Sequence, residues 1–199
     1  MTRRVGIYLF SHVEILDFAG PYEVFTAATR VHSREHPGDP APFEVVTLAE
    51  TLAPVRARAG LVVTPDYTLD DHPPLDILLV PGGVVTDELN NPQLIDWLVR
   101  TAADTELTAS VCTGAFLLAK AGLLNGKRAT THWEDVEDLR RDFPETQVQE
   151  NVRWVDEGKL ITSGGVAAGI DMSLHIVRRL SGETLAVKTA RQIDVPWSA

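Results

Sequence analysis

Ser110-Val111-Cys112-Thr113-Gly114 stands where a strand-forming run, Leu107–Val111, meets an apolar helical stretch, Thr113–Leu124, which Gly126 ends. Small residues lie two before and two after the cysteine. A tight strand-to-helix turn needs that spacing, because neighbouring backbone crowds the residue at its apex. The reading is a nucleophile elbow carrying Cys112. At the start of a helix, unpaired N–H groups and the helix dipole favour a thiolate, so a depressed pKa is expected. The competing reading is a buried, inert cysteine packed as a small hydrophobe.

Upstream, Leu75–Val80 has no polar residue after Asp76 and reads as a central parallel strand buried on both faces. Pro81-Gly82-Gly83 follows it, and two glycines at a strand's carboxyl end let backbone N–H groups approach a ligand. An ordinary turn explains them equally. Val5–Phe10 is a further buried strand, and Gly20-Pro21 opens a helix that continues from Tyr22 to Val31. Between them, Asp17 is an acid in apolar surroundings. It reads either as a turn or capping acid or as a proton-transfer acid at the sheet's carboxyl edge.

His32–Pro42, with three prolines, reads as a loop, and Phe43–Ala49 and Leu61–Thr64 as strands. Asn91-Pro92 opens a helix with Leu94, Ile95, Leu98 and Val99 on one face. Ala129–His132 is a short strand and Glu134–Arg141 a polar helix whose acids form a solvated face. Val152–Val155 and Leu160–Thr162 form a hairpin around Asp156-Glu157-Gly158. Ile170, Leu174, Val177 and Leu180 mark a helix, and a last one covers Glu183–Ile193. Strands alternating with helices, without a linker or repeat, give one α/β domain over residues 1–199 on a mostly parallel sheet sandwiched by helices.

Composition narrows the function classes. Hydrophobic residues at 44% and charged residues at 23% of 199 exclude a disordered, collagenous or coiled-coil chain. A net charge of −10 with no basic patch repels nucleic acid. The single cysteine excludes an intrachain disulfide and points to a reducing compartment. With no apolar run long enough for a signal core or a bilayer span, a cytoplasmic protein without membrane or nucleic-acid partners is expected. No ligand cluster supports a metal, and Gly164–Gly169 lacks the G-x-G start of a dinucleotide fingerprint, so no cofactor is expected.

The segments Leu16–Phe25, Leu78–Gly83, Ser110–Trp133 and Ile161–Val177 resemble the ThiJ/PfpI superfamily, which has the class I glutamine amidotransferase-like (flavodoxin-like) fold. Within it the chain is most similar to isocyanide hydratases and the amidotransferase-like domains of AraC-type regulators. The resemblance implies Cys112 as nucleophile and Asp17 as its acidic partner. It matches Thr113 to the residue after the nucleophile, Gly83, beside Gly82, to a glycine whose amide faces the site, and His132 to a pocket-lining position. Threonine rather than histidine after Cys112 disfavours a Cys-His peptidase.

The segment Arg30–Phe43 is longer and the C-terminal tail shorter than in the hydratase branch, which leaves the substrate open. Few residues follow Ile193, so the DNA-binding region of the AraC-type regulators is not expected here. Superfamily members are commonly homodimers. The resemblance implies isocyanide hydration to an N-substituted formamide. Two alternatives are a ligand-binding or redox-sensing module without turnover and glyoxalase-like chemistry on small carbonyl compounds.

Overall fold

Seven strands hydrogen-bond in the order β10-β11-β7-β6-β1-β2-β5 in the computed structural model, which describes residues 1–197. In chain order the first elements are β1 (Arg3–Tyr8), α1 (Ile15–Glu35), β2 (Phe43–Ala49), the small antiparallel pair β3 (Val55–Arg56) and β4 (Val62–Val63), and β5 (Tyr67–Thr68). They are followed by β6 (Ile77–Val80), α2 (Thr86–Leu89), α3 (Pro92–Asp104), β7 (Leu107–Val111), α4 (Gly114–Lys120) and β8 (Arg128–Ala129). The chain ends with α5 (Val136–Asp142), β9 (Gln147–Val148), β10 (Trp154–Asp156), β11 (Leu160–Ser163), α6 (Ala168–Ser181) and α7 (Glu183–Gln192). Only β10 runs antiparallel in the main sheet. Helices α1, α6 and α7 pack together on one side of the sheet, and α2, α3 and α4 form a second cluster. No helix among the described residues is long and apolar enough to cross a membrane.

All four residues of β6 and all five of β7 are buried, the double-sided burial expected of central parallel strands. The chain leaves β1 toward β2 on one side and returns to β6 on the other. The sheet therefore has its topological switch point between β1 and β6, where the loops at the strands' carboxyl ends part and leave a crevice.

The helix after β1 differs from the sequence reading. It starts at Ile15, capped by the Glu14 side chain accepting from Ile15 N at 3.2 Å, and carries Pro21 in its interior. Proline has no N–H for the carbonyl four residues back, which is Asp17's, so the chain tolerates one missing helical bond. The helix also runs on to Glu35, leaving a shorter loop before β2 than the prolines suggest.

Asn91 does cap α3, its side chain accepting from Leu94 N at 3.2 Å. The buried face, however, is Leu94, Trp97, Leu98 and Ala102, while Val99 is exposed. Helix α4 stops at Lys120, earlier than expected, and turns fill the stretch to Gly126. The strand expected at Ala129–His132 lies at Arg128–Ala129, and β1 sits two residues earlier than Val5–Phe10.

Gly114, the first residue of α4, lies against β6. A Cβ there would land on the Val80 carbonyl oxygen and 2.9 Å from that of Pro81. Backbone cannot yield as a side chain can, so Gly114→Ala should cost about 3 kcal/mol or more. Gly126→Ala faces open space at φ 70° and should cost only the left-handed strain, roughly 1–2 kcal/mol. Urea unfolding of both variants checks this. Equal losses would contradict the close seating of the elbow helix on β6.

Candidate active site

Three loops at the carboxyl edge of the sheet converge on Cys112. The Val80↔Ser110 and Ser163↔Val111 registers bring the ends of β6, β7 and β11 level, so Gly82, Cys112 and Gly165 follow side by side. Cys112 adopts φ 55°, left-handed and uncommon for a residue with a Cβ, which is the strained apex of an elbow. Its N–H donates to Ser163 O at 3.1 Å, and its carbonyl accepts from Thr131 Oγ1 at 2.9 Å. Gly165 closes over the thiol: a Cβ there would lie 2.8 Å from Cys112 Sγ and 2.6 Å from His132 Cδ2.

Asp17 is fully buried in the first turn of α1. Its Oδ2 accepts from Gly82 N at 3.1 Å, while Oδ1 is buried without a hydrogen-bond partner. It is thus neither the cap of its helix, a role Glu14 fills, nor a solvated turn acid. Burial pushes its pKa up to about 7, with the charge of Glu14 adding to the rise and the Gly82 amide opposing it.

The thiol departs from the expected depression. Burial pushes Cys112 up to about 12, the Asp17 charge reinforces the rise, and the Thr113 amide opposes it. The seven-residue α4 contributes too short a dipole to outweigh desolvation beside a carboxylate. At neutral pH the site holds a protonated thiol next to a carboxyl that is part-ionised.

Thr113 Oγ1 donates to Gly83 O at 2.9 Å and accepts from Gly83 N at 2.9 Å. The Gly82 amide serves Asp17 and the Gly83 amide serves Thr113, so neither is an open donor toward a substrate. The expectation that the Gly83 amide faces the site gives way to a structural role. A Cβ on Gly82 would lie 2.6 Å from both Thr113 N and Oγ1 and 2.9 Å from Asp17 Oδ2, so glycine is needed for this approach.

A cavity of about 220 Å³ opens on Cys112 and is lined by Glu14, Arg58, Gly83, Thr113, His132, Glu134, Asp135 and Val166. His132 caps the turn at Trp133–Asp135, its Nδ1 accepting from Glu134 N at 3.4 Å and facing Asp135 Oδ2 at 3.5 Å. It lines the pocket and, among the described residues, makes no hydrogen bond to Cys112. Arg58 reaches across to Glu14 at 3.2 Å.

Sequence reasoning missed several of these side chains. Glu14 and Arg58 carry no motif and arrive through loops. Glu134 and Asp135 read as a solvated helix face, yet both line the cavity, whereas Glu137 and Asp138 do pair with Arg140 and Arg141 at the surface. Gly164-Gly165, set directly after a strand much as Gly82-Gly83 follows β6 across Pro81, was the one available signal for the closing loop.

The family model described as the DJ-1/PfpI family matches residues 3–179, and the chain belongs to that family. It is 36% identical over 195 residues to the isonitrile hydratase of Pseudomonas putida, covering 98% of this chain and 79% of that one. It is 30% identical to a helix-turn-helix-type transcriptional regulator of Pseudomonas aeruginosa, spanning 96% of this chain and 55% of the regulator's length. Among solved structures, a ThiJ/PfpI family protein from Pseudomonas syringae superposes with TM-score 0.84 at 25% identity, over 98% of this chain and 75% of that one. Drosophila melanogaster DJ-1beta superposes with TM-score 0.81 at 20% identity over 98% of this chain and 100% of that one, a likeness of fold alone.

The raised carboxyl has a consequence for stability. An acid whose folded pKa exceeds its unfolded value keeps a proton in the fold that the unfolded chain has released. Stability therefore falls as pH rises from 3.8 to about 7, and the loss is complete above that. Asp17→Asn cannot ionise. The stability of this variant relative to the parent should grow across that window by a few kcal/mol, since each tenfold change in proton affinity is worth about 1.4 kcal/mol. Urea unfolding of both proteins at about pH 3, 5.5 and 8 measures it, those values lying below, inside and above the window. A pH-independent difference would mean that Asp17 ionises as freely in the fold as outside it.

Proposed function

We propose that this member of the DJ-1/PfpI family hydrates an isocyanide to an N-substituted formamide, with Cys112 as nucleophile and Asp17 as the group that moves protons. The observation that carries the reading is the buried pair itself. A carboxyl with a pKa near 7 and an unpartnered Oδ1 sits beside the thiol of the elbow. A general base is most effective when its pKa lies near the working pH. The 36% identity to an isonitrile hydratase over nearly the whole chain agrees with it.

The chemistry balances without a cofactor. The terminal carbon of R–N≡C accepts a soft nucleophile and must gain a proton. As Sγ bonds to that carbon, the Asp17 carboxylate takes the thiol proton and returns it to the same carbon, leaving the thioimidate Cys112–S–CH=N–R. Water then adds to the thioimidate carbon, and the one proton it releases is taken by Asp17 and passed to the nitrogen. Collapse breaks the C–S bond, the hydroxyl proton passes back to sulfur, and R–NH–CHO leaves. In this order of events no standing thiolate is required, which suits a thiol held near 12. The Thr113 amide stabilises charge on sulfur as it develops.

A cavity of about 220 Å³ is smaller than the roughly 300–1,000 Å³ of sites that enclose drug-sized ligands. It suits a small reacting head whose substituent extends outward. A ligand-binding module without turnover is the second reading, because the relatives include transcriptional regulators. Redox sensing is disfavoured, since peroxide attacks the thiolate and this thiol is buried and protonated.

Purified protein should consume an aryl isocyanide and release the formamide, with kcat/KM rising through a single ionisation near pH 7, the carboxylate being the competent form. Asp17→Asn should lower the rate by roughly 10²–10⁴-fold and remove that ionisation from the residual activity. Full activity in Asp17→Asn, or an acid limb near the ordinary carboxyl range, contradicts the proton-transfer role. Stoichiometric binding without turnover favours the second reading.

A further inference from the structure

The cavity over Cys112 is uneven in charge. Three carboxylates line it, those of Glu14, Glu134 and Asp135, against one guanidinium, that of Arg58. Arg58 is answered by Glu14 Oε2 at 3.2 Å, and Glu14 caps α1 with its other oxygen. Glu134 and Asp135 have no such counterion. Among the described residues neither pairs with a lysine or an arginine, whereas Glu137 and Asp138 of the same segment pair with Arg140 and Arg141.

The group facing both is His132, whose Nδ1 lies 3.7 Å from Glu134 Oε2 and 3.5 Å from Asp135 Oδ2. A protonated imidazole would balance one carboxylate and leave the other. A neutral one, with Nδ1 accepting from Glu134 N, balances neither. The wall is acidic in both cases. The Glu134 side chain, 64% exposed, stands at the rim, and that of Asp135, 33% exposed, sits deeper. Charges of one sign on the low-dielectric walls of a cleft concentrate ions of the other sign there, and the chain's net charge of −10 acts in the same direction. Features other than these acids mark the cavity as a place for a ligand. The elbow thiol opens on it, and the fully buried Asp17, which meets Thr113 across Gly82, keeps Oδ1 without a partner.

We propose that the Cys112 cavity selects its reactant by charge, Glu134 and Asp135 favouring a substrate whose outward substituent carries an ammonium group over one that carries a carboxylate, sulfonate or phosphate. The naming of that substrate as an ammonioalkyl isocyanide rests on the proposed function; the selection itself acts on any reagent that approaches the sulfur. The reacting head meets Cys112, and the cationic substituent lies toward the rim, where charge-assisted contacts with the two carboxylates are open to it.

The test is mixed-disulfide formation at Cys112, the only cysteine in the chain, with trimethylammonioethyl, sulfonatoethyl and methyl methanethiosulfonates. A buffer of about 10 mM ionic strength keeps the Debye length near 30 Å. The cationic-to-anionic rate ratio, divided by the same ratio for free mercaptoethanol, cancels both the reagents' own reactivity and the thiolate fraction. It should exceed one by roughly tenfold, and about 1 M salt should remove most of the excess. The double variant Glu134→Gln, Asp135→Asn should lower it by about fivefold or more. Glu137→Gln with Asp138→Asn takes the same charge from the same segment outside the cavity and should change it by less than about twofold.

A ratio near that of mercaptoethanol, a preference for the anion through Arg58, or equal effects of the two double variants overturns the proposal whether or not an isocyanide is turned over. A thiol that takes the neutral reagent and neither charged one overturns it too. Selectivity without turnover of an ammonioalkyl isocyanide upholds the charge selection and contradicts the hydratase reading instead. Should the cavity double variant not fold, Glu134→Gln alone, at the exposed rim, should lower the ratio by roughly twofold, and an unchanged ratio overturns the proposal.

Discussion

The hydrogen bond from Gly82 N to Asp17 Oδ2, 3.1 Å, spans the crevice between the loops that leave β1 and β6, and the site is organised around it. It holds a carboxyl that is otherwise walled off from water. The neighbouring bonds serve the same closure. Val13 bridges to Gly83, Glu14 N donates to Gly82 O at 2.8 Å, and Thr113 Oγ1 bonds both polar groups of Gly83. The loops after β1, β6 and β7 are thereby laced into one rigid edge, and the parallel strand order makes them neighbours.

One amide does not compensate a buried carboxylate for the water it loses. That deficit raises Asp17, and burial together with the Asp17 charge raises Cys112, so each group holds its proton to a higher pH than it would in water. A helix start alone predicts the opposite for the thiol. Desolvation and an adjacent negative charge outweigh a dipole of seven residues, and the chemistry that follows is proton transfer coupled to attack. The elbow's left-handed cysteine and the buried acid both lower stability. They persist because the surrounding core, from β6 and β7 to Phe116 and Leu117, overdetermines their positions.

Much of the fold was legible in residues with local signatures. Leu75–Val80 announces a central strand by lacking polar residues, and small residues around Cys112 announce the elbow. Asn91-Pro92 announces a capped helix by the chemistry of its first turn. The start of α1 was not legible, because Gly20-Pro21 is a stronger local signal than Glu14, and only tertiary packing makes an interior proline tolerable. Cys112, Asp17, Thr113, Gly82, Gly83 and His132, which the sequence singles out, all lie at this edge. The roles of the glycine amides were not, since which acceptor a backbone N–H takes depends on contacts between loops far apart in sequence. Arg58, 44 positions beyond Glu14, is illegible for the same reason.

The central claim is that burial beside Asp17 keeps the Cys112 thiol protonated. The most direct measurement is the thiolate absorbance titration of the folded protein, taken as the difference from Cys112→Ser so that only this sulfur contributes. The expected result is no appreciable thiolate at about pH 8.5, where an ordinary cysteine is half ionised, and a rise only toward the limit of folding. A thiolate plateau complete below about pH 8 would contradict it and restore the depressed nucleophile that the helix start alone implies.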